Sequence, residues 1–459
     1  MMPDSQLDLL PSSDWPLMVD LYELAMAQAY WKAGLDGVAV FSLFYRQQPP
    51  HRNYMLACGQ QSVCRIIQEL QFTADQLQRL QRLDMFQPEF LEWLANFRFT
   101  GNINCLPEGT PVFAQEPFLE VEAPVIEAQL LESLVMNYVH LETLLASKAA
   151  RIVTAAGDRP VIDFGMRRMH GLDAAYRGVR AYKIAGLAGT SHVLAGQDFD
   201  LPVRGTMAHS FIQAHDDELA AFRAYARLYP GTTLLVDTYD TRRAVDRIIR
   251  WLSADPDAHI SGIRLDSGDM VEQARHCRQR LDDAGFEHIR ILASGGLDEY
   301  AIQAMVKAGA PIDGFGVGTA LGSSSDSPTL DLAYKLTEYT GLPRMKNSPG
   351  KQSFPGAKQV YRQTNGLGHF SGDVITGRNE RCDGEPLLVP TLRAGQLVAG
   401  AIASLEGSRR YCQDMIRKLP KALLSLDDSV HYPVTISRHL KSVQQLTIAE
   451  LQGKERSDP

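Results

Sequence analysis

The stretch Ile289-Arg290-Ile291-Leu292-Ala293-Ser294-Gly295-Gly296 reads as a short apolar strand that runs straight into a glycine pair. A helix is expected over about residues 297–308, and Asp313-Gly314-Phe315-Gly316-Val317-Gly318-Thr319 then repeats the pattern of strand followed by glycine. Short apolar strands alternating with helices of roughly 10 to 15 residues mark β-α units, because parallel neighbours need a long crossover between them.

The same rhythm extends upstream. Strands are expected at Val161-Ile162-Asp163-Phe164, Ser191-His192-Val193-Leu194, Pro202-Val203-Arg204, Thr233-Leu234-Leu235-Val236-Asp237 and Gly262-Ile263-Arg264-Leu265-Asp266. Helices are expected over about 171–186, 215–228, 241–253 and 268–284. Seven such strands point to an α/β fold built on an incomplete or irregular (β/α) barrel, rather than to an open doubly wound sheet.

The flanks have a different texture. Ahead of the barrel come a helix from Val19 to Lys32, an aromatic and branched strand at Val38–Tyr45, and helices at Gln60–Leu70, Thr73–Arg82 and Pro88–Asn96, with Thr73 as an N-cap. Short strands separated by Pro107, Pro111, Pro117 and Pro124 fill residues 100–130, and a long apolar-periodic helix runs from Glu127 to Arg151. Beyond Leu342 the chain turns rich in Lys, Pro and Gly. Short strands follow at Gln359–Gln363, His369–Thr376 and Leu387–Leu392, then a helix at about 401–418 and a last strand at Pro433–Ile436. The expected organisation is an α+β N-terminal domain over 1–130, a barrel over 131–341, and a C-terminal segment over 342–459 that packs with the N-terminal domain. Residues 1 to about 14 read as a loose lead-in, and the polar tail past Glu450 as frayed.

Composition narrows the function. A chain of 459 residues with 45% hydrophobic and 22% charged residues is an ordinary globular one, long enough for more than one domain. A formal net charge of -8 argues against a nucleic-acid partner but not against small anions bound by local arginines. Cys58, Cys64, Cys105, Cys277, Cys382 and Cys412 form no C-x-x-C pair, which disfavours a zinc site and fits a reduced, cytoplasmic chain. The polar opening Met-Met-Pro-Asp-Ser-Gln does not read as a signal peptide, and no apolar run reaches the ~18 residues of a membrane span.

Polar residues collect where the strands end, at the rim that carries chemistry in such barrels. Ser294-Gly295-Gly296 and Gly318-Thr319 would present bare amides on neighbouring strands, a phosphate cradle that either glycine pair alone would not establish. Arg167, Arg168 and Arg264 supply guanidinium forks suited to carboxylates and phosphates. Asp266 and Asp269 suit ribose hydroxyls or a magnesium ion, although Asp269 reads equally well as a helix N-terminal acid. Asp237 ends a buried strand and must be paired or functional. Thr206 and His209, on the loop Val203-Arg204-Gly205-Thr206-Met207-Ala208-His209-Ser210, place a hydroxyl and an imidazole on the same rim. The plainer reading of His209 is a loop histidine bonded to a backbone carbonyl. Tyr22 is an aromatic able to stack on a planar ring, though a core tyrosine is commoner.

These residues carry a resemblance. Asp20-Leu21-Tyr22-Glu23-Leu24, Phe41 to Arg46, Phe164-Gly165-Met166-Arg167-Arg168, Gly189-Thr190-Ser191, Gly205 to Ser210, Leu265 to Asp269, Ser294-Gly295-Gly296, Gly316 to Thr319 and Pro355 to Arg362 follow one another as in the nicotinate phosphoribosyltransferase family, which the chain resembles over most of its length. The departures are Val19 and Ala25, where the family usually has threonine.

The resemblance implies an irregular α/β barrel plus an α+β N-terminal domain completed by C-terminal strands. It implies attack of the nicotinate ring nitrogen on C1 of phosphoribosyl pyrophosphate, giving nicotinate mononucleotide and pyrophosphate, the first step from nicotinate in NAD salvage. It implies coupling to ATP through transient phosphorylation of His209, magnesium as cofactor, and a homodimer in which Tyr22 reaches the partner's site. Asp266 would hold ribose hydroxyls directly or through magnesium, and Arg264 would pair with or stack on nicotinate. Thr206 with Arg167 or Arg168 would bind the carboxylate or the pyrophosphate, the division among them being open. A nicotinamide phosphoribosyltransferase is the runner-up, disfavoured by the arginines. Quinolinate transfer would not need a phosphorylatable histidine. A non-catalytic barrel that binds a phosphorylated ligand is the reading from another class.

Overall fold

The computed structural model describes residues 12–348 and 353–457, and the chain divides into two compact units. One is Lys148–Asp326. The other joins the chain up to Ser147 with the chain from Ser327 onward. The expected lead-in over residues 1–11 lies outside the described residues, and Ser12–Leu17 is a 3-10 turn.

In the first-named unit six strands form one parallel sheet: β1 (Val161–Asp163), β2 (Gly189–Thr190), β3 (Thr232–Leu235), β4 (Ile260–Leu265), β5 (Arg290–Ala293) and β6 (Gly314–Val317). Their order is β2-β1-β6-β5-β4-β3, with every ladder parallel. Val203 adds a single parallel bridge to Thr190, and among the described residues no ladder joins Val203 to β3. The barrel is therefore incomplete, as the strand pattern anticipates. Of the expected strands, Pro202–Arg204 shrinks to that bridge and Ser191–Leu194 fails altogether. There His192 accepts a hydrogen bond from the Ala195 amide at 3.3 Å through Nδ1, which caps a helix at Val193–Asp198 and turns the chain out of the sheet.

The crossover helices form for local reasons. In Thr241–Ala254, Ala244, Val245, Ile248, Trp251 and Leu252 are buried at helical spacing, so one stripe faces the sheet. The helices starting at Glu218, Thr241, Met270 and Glu299 each begin on an aspartate, Asp217, Asp240, Asp269 and Asp298, whose carboxylate accepts amides of the first turn. Such caps offset the unpaired donors of a helix start by about 1 kcal/mol each.

The other unit is a seven-stranded antiparallel sheet ordered Leu342–Pro343, Leu332–Tyr339, Val38–Tyr45, Leu119–Pro124, Asn102–Cys105, Val389–Arg393 and Gln396–Leu397. C-terminal strands thus complete an N-terminal sheet on both flanks. Leu332–Tyr339 ends the barrel's chain segment early because it pairs along Val38–Tyr45, from Ala39↔Tyr339 to Tyr45↔Leu332. The helix Glu132–Ala156 spans the other boundary: Leu134, Val135, Tyr138, Val139 and Leu144 belong to the core beneath this sheet. A four-stranded sheet over Lys358–Thr364, Phe370–Gly377, Glu385–Pro386 and Val434–Ile436 carries a fully buried pair, Arg362 and Asp373, at 2.6 Å. Tyr432 donates to Asp373 at 2.9 Å, and Arg362 donates to the Pro111 carbonyl at 2.8 Å, which ties this sheet to the N-terminal segment. The tail past Glu450 continues a helix, Arg438–Ser457, rather than fraying. No described helix is long and apolar enough to cross a membrane.

The helix Leu21–Lys32 opens on a buried carboxyl. Glu23 accepts bonds from the Ser133 amide at 3.1 Å and the Ser133 hydroxyl at 2.5 Å through Oε1, while its buried Oε2 has no partner. Burial pushes this carboxyl up to about 7, the Ser133 bonds oppose the rise, and Glu132 and Asp20 add to it. Between its ordinary value of 4.5 and about 7 the folded chain keeps a proton that the unfolded chain has lost. The stability tied to that proton is present below this window and is lost as pH rises through it. Glu23→Gln keeps an acceptor for Ser133 and carries no charge. Melting curves at pH 5 and pH 8 should show the wild type losing more Tm over that interval than the variant; equal losses would remove Glu23 from the pH response.

Candidate active site

The rim is built where β4 and β5 end. Ser294 donates its amide to the Leu265 carbonyl at 2.8 Å and its hydroxyl to Asp266 Oδ1 at 2.5 Å. The Asp266 amide donates in turn to Asp237 Oδ2 at 2.9 Å, and the Ser267 hydroxyl to the same oxygen at 2.6 Å. Asp237 Oδ1 is buried without a partner. Three successive strand ends are thereby stitched through two carboxylates, one of which, Asp266, leaves Oδ2 facing His209 Nε2 at 3.9 Å.

His209 begins the short helix His209–Gln213 and is partly exposed. Its Nδ1 lies 3.0 Å from the Thr238 hydroxyl, not against a backbone carbonyl. Both ring nitrogens therefore face groups from other strand ends, which removes the plain loop-histidine reading. Thr206 sits on the same loop, its hydroxyl donating to the Met207 carbonyl at 3.3 Å.

Arg264, on β4, is mostly buried. One guanidinium nitrogen donates to the Met207 carbonyl at 3.1 Å, its Nε is buried without a partner, and its charge lies 5.9 Å over the Phe164 ring. Burial draws it below its ordinary value and Arg167 adds to that, while Asp266, Asp237 and Tyr225 oppose it. An arginine stays charged under any of these conditions, so a buried guanidinium with an unused donor is a ready anion partner. Arg167 and Arg168 lie exposed on the turn Met166–Arg168, and Arg167 is near enough to feel Arg264.

The glycines behave as their sequence suggests. Gly295 and Gly296 have φ of 87° and 65°, the left-handed region where other residues are strained, and both are exposed. A Cβ on Gly295 would lie 1.8 Å from the Asp266 carbonyl oxygen. Gly318 and Thr319 follow β6, the direct neighbour of β5, and Thr319 is exposed. Two bare-backbone loops thus stand side by side at the carboxyl ends of adjacent strands, where anions bind in such sheets.

Other predicted residues separate from this group. Asp269 caps the helix Met270–Asp283, its Oδ1 accepting the Val271 and Glu272 amides at 3.0 Å each. Tyr22 belongs to the other unit, where it is 45% exposed on the helix Leu21–Lys32 and is not a core residue. Three residues with clear places in the site were given no role from the sequence. Thr238 and Phe164 follow strand-end aspartates and carried that signal. Glu299 carried none: it is fully buried at the start of the helix after the glycine loop, held by Lys148 at 2.5 Å and Arg151 at 2.9 Å. Those two bases come from a helix about 150 residues earlier, and together they anchor the loop's C-terminal side.

The donor set suits a magnesium ion held mainly by substrate. Among the described residues no three ligand-capable side chains gather at this rim. Asp266 Oδ2 is a partly exposed carboxylate oxygen free of hydrogen bonds, Asp237 Oδ1 a buried one, and magnesium typically takes one or two carboxylates plus substrate phosphates.

Comparison with known proteins adds to this geometry. The model described as the nicotinate phosphoribosyltransferase (NAPRTase) N-terminal domain matches residues 17–140, and that of the nicotinate phosphoribosyltransferase (NAPRTase) family matches residues 160–353. The chain is 48% identical over 423 residues to the nicotinate phosphoribosyltransferase pncB2 of Mycobacterium tuberculosis (strain ATCC 25618 / H37Rv), covering 92% of this chain and 91% of that one. It is 39% identical over 382 residues to the nicotinate phosphoribosyltransferase of Bacillus subtilis (strain 168), covering 81% and 78%. The crystal structure of human nicotinic acid phosphoribosyltransferase superposes with a TM-score of 0.83 at 26% identity, over 93% of this chain and 99% of that one.

Gly295→Ala tests the rim's backbone. The left-handed conformation alone costs an alanine roughly 1–2 kcal/mol, and the Asp266 carbonyl must also move. The expected outcome is a lower Tm together with lost activity, whereas Gly296→Ala, whose Cβ would meet nothing within 4 Å, should be the milder change. Equal effects would show that the approach to Asp266 is not the constraint.

Proposed function

This chain belongs to the nicotinate phosphoribosyltransferase family, and we propose that it transfers the phosphoribosyl group of phosphoribosyl pyrophosphate to nicotinate, giving nicotinate mononucleotide and pyrophosphate. The observation that carries this reading is the rim itself: two exposed glycine loops on adjacent strands, facing a mostly buried arginine and the Asp266–His209 pair.

The ring nitrogen of nicotinate attacks C1 of the ribose as the C1–O bond to pyrophosphate breaks, and positive charge builds on the sugar. Catalysis is then positioning and charge stabilisation. The amides of Ser294, Gly295, Gly296 and Gly318, with Thr319, hold the 5-phosphate. Asp266 holds ribose hydroxyls and, with magnesium bound, offers that ion its free oxygen; the ion would neutralise the pyrophosphate as it leaves. Arg264 faces the nicotinate carboxylate, and Phe164 gives the pyridine ring an aromatic face. Arg167, Arg168 and Thr206 divide the remaining anionic groups, pyrophosphate included. Asp237 orients the Asp266 backbone and the Ser267 hydroxyl. His209 takes the γ-phosphoryl group of ATP, with ADP leaving, and later gives it to water; the added charge orders the arginines around the substrates. A homodimer is part of the same reading, since Met18, Leu21 and Tyr22 leave an apolar strip about half exposed.

An acid substrate is favoured over nicotinamide by the unused donor of Arg264, which an uncharged amide would leave without a counter-charge. Pyrophosphate release with phosphoribosyl pyrophosphate should therefore be seen with nicotinate and be far slower with nicotinamide; the reverse order would overturn the assignment. Arg264→Ala should raise the nicotinate KM by about 10-fold or more, the scale of a lost charge-assisted hydrogen bond, and unchanged kinetics would remove Arg264 from the site. His209→Ala should retain slow transfer without ATP and lose the gain in rate from ATP. Equal ATP stimulation in variant and wild type would end its role as acceptor.

A further inference from the structure

We propose that Thr190 is the positioning residue that spaces the two walls of the nicotinate end of the site, a role that rests on the proposed contacts of nicotinate with Phe164 and Arg264. Thr190 ends β2, is fully buried, and lies opposite Asp163 of β1. Its hydroxyl donates to Asp163 Oδ2 at 2.7 Å and accepts the His192 amide at 3.1 Å, so its one donor is committed. The other oxygen of that carboxylate, Oδ1, accepts the Gly165 amide at 2.7 Å. Asp163 is buried and makes no ion pair among the described residues, so these two bonds support it. Burial pushes the carboxyl up, and the Thr190 and Gly165 bonds oppose the rise. A buried carboxylate is costly unless its oxygens are bonded. Here its two acceptors tie together two separate strand ends.

One wall is aromatic. The Phe164 amide donates to the Val317 carbonyl at 2.8 Å, and its ring lies against the bare backbone of Gly316, where a Cβ would come within 2.4 Å of it. Gly165 then opens the turn Met166–Arg168, its carbonyl accepting the Arg168 amide at 2.8 Å. Asp163 therefore sets the direction in which Phe164, Arg167 and Arg168 leave the strand. The other wall is the loop after Val203. The Thr190 amide donates to the Pro202 carbonyl at 3.0 Å, and its carbonyl accepts the Arg204 amide at 2.8 Å. Further along that loop, the Met207 carbonyl holds Arg264 at 3.1 Å. The backbone of Thr190 thus fixes one wall and its side chain the other. Without the hydroxyl, Asp163 Oδ2 loses its hydrogen bond, and the carboxylate can turn and carry the Gly165 amide with it. The glycine loop after β5 lies two strands from β1 and shares no hydrogen bond with Thr190 or Asp163 among the described residues. Its hold on a phosphate does not depend on this tether.

The test is a split between two Michaelis constants. With pyrophosphate release followed at saturating ATP, Thr190→Val should raise the nicotinate KM by about 10-fold and leave the phosphoribosyl pyrophosphate KM within about twofold of wild type. Thr190→Ser keeps the hydroxyl and should return the nicotinate KM to near the wild-type value. Should Thr190→Val fail to fold because Asp163 is left charged and short of a partner, the double variant Asp163→Asn/Thr190→Val removes the tether without stranding a charge, and the same split is expected from it. A threonine that merely supports the fold would lower Tm and either leave both KM values alone or raise them together. Either result overturns the proposal, as does a Thr190→Ser enzyme that behaves like Thr190→Val. If the wild type releases pyrophosphate with nicotinamide and not with nicotinate, the reading of the site fails and takes this spacing role with it. A wild type active on nicotinate, with variants whose two KM values keep their ratio, removes Thr190 alone.

Discussion

The close approach of Gly295 to the Asp266 carbonyl sets the geometry of the rim. At 1.8 Å from that oxygen there is no room for a Cβ, so only glycine lets β5 and β4 end side by side. That proximity permits the Ser294 hydroxyl to reach Asp266 and the Ser294 amide to reach Leu265. Asp266 is thereby oriented with one oxygen bonded and the other turned to His209. The strand ends are held by hydrogen bonds to charged groups, each stronger than a neutral one by about a factor of two.

The rim and the antiparallel unit handle charge in opposite ways. Arg362 and Asp373 are sealed together with Tyr432, and Glu120 meets Lys358 at 3.2 Å and Arg378 at 3.3 Å. These ions are paired, although Arg362 Nη1 and Arg378 Nε are buried without a hydrogen-bond partner, and breaking a pair would strand a charge at a cost of about 3–5 kcal/mol. At the rim, Arg264 keeps an unpaired Nε and Asp237 an unpaired Oδ1, both buried. An unused donor at the rim stands where a ligand can complete its bonding. The difference lies in the ion pairs: Arg362 and Arg378 each meet a carboxylate, whereas Arg264 makes no ion pair among the described residues.

Much of this was legible in the chain. β4, β5 and β6 and their helices follow from apolar runs punctuated by glycine and by capping aspartates, because those features act within a few residues. The strand Val38–Tyr45 was equally plain from its aromatic and branched residues. Ser191–Leu194 misled because Val193 and Leu194 look like strand residues, yet both are exposed, at 62% and 43%, and the His192 cap turns them into a helix. Leu332–Tyr339 was overlooked because its alternation is weak and its partner strand lies about 290 residues away. Asp269 showed both of its readings in the sequence, and the structure commits its Oδ1 to the cap.

By itself the sequence determined the parallel unit, the rim, the glycine loops and the family, since each depends on residue type and short-range order. Only the tertiary structure decided the partners: that Thr238 meets Nδ1 of His209, that Phe164 lies beneath Arg264, that Lys148 and Arg151 hold Glu299. Those contacts join residues 29 to 151 positions apart or more than one strand end away. No local propensity records such distances, because they are set by which strands lie side by side and how their ends align.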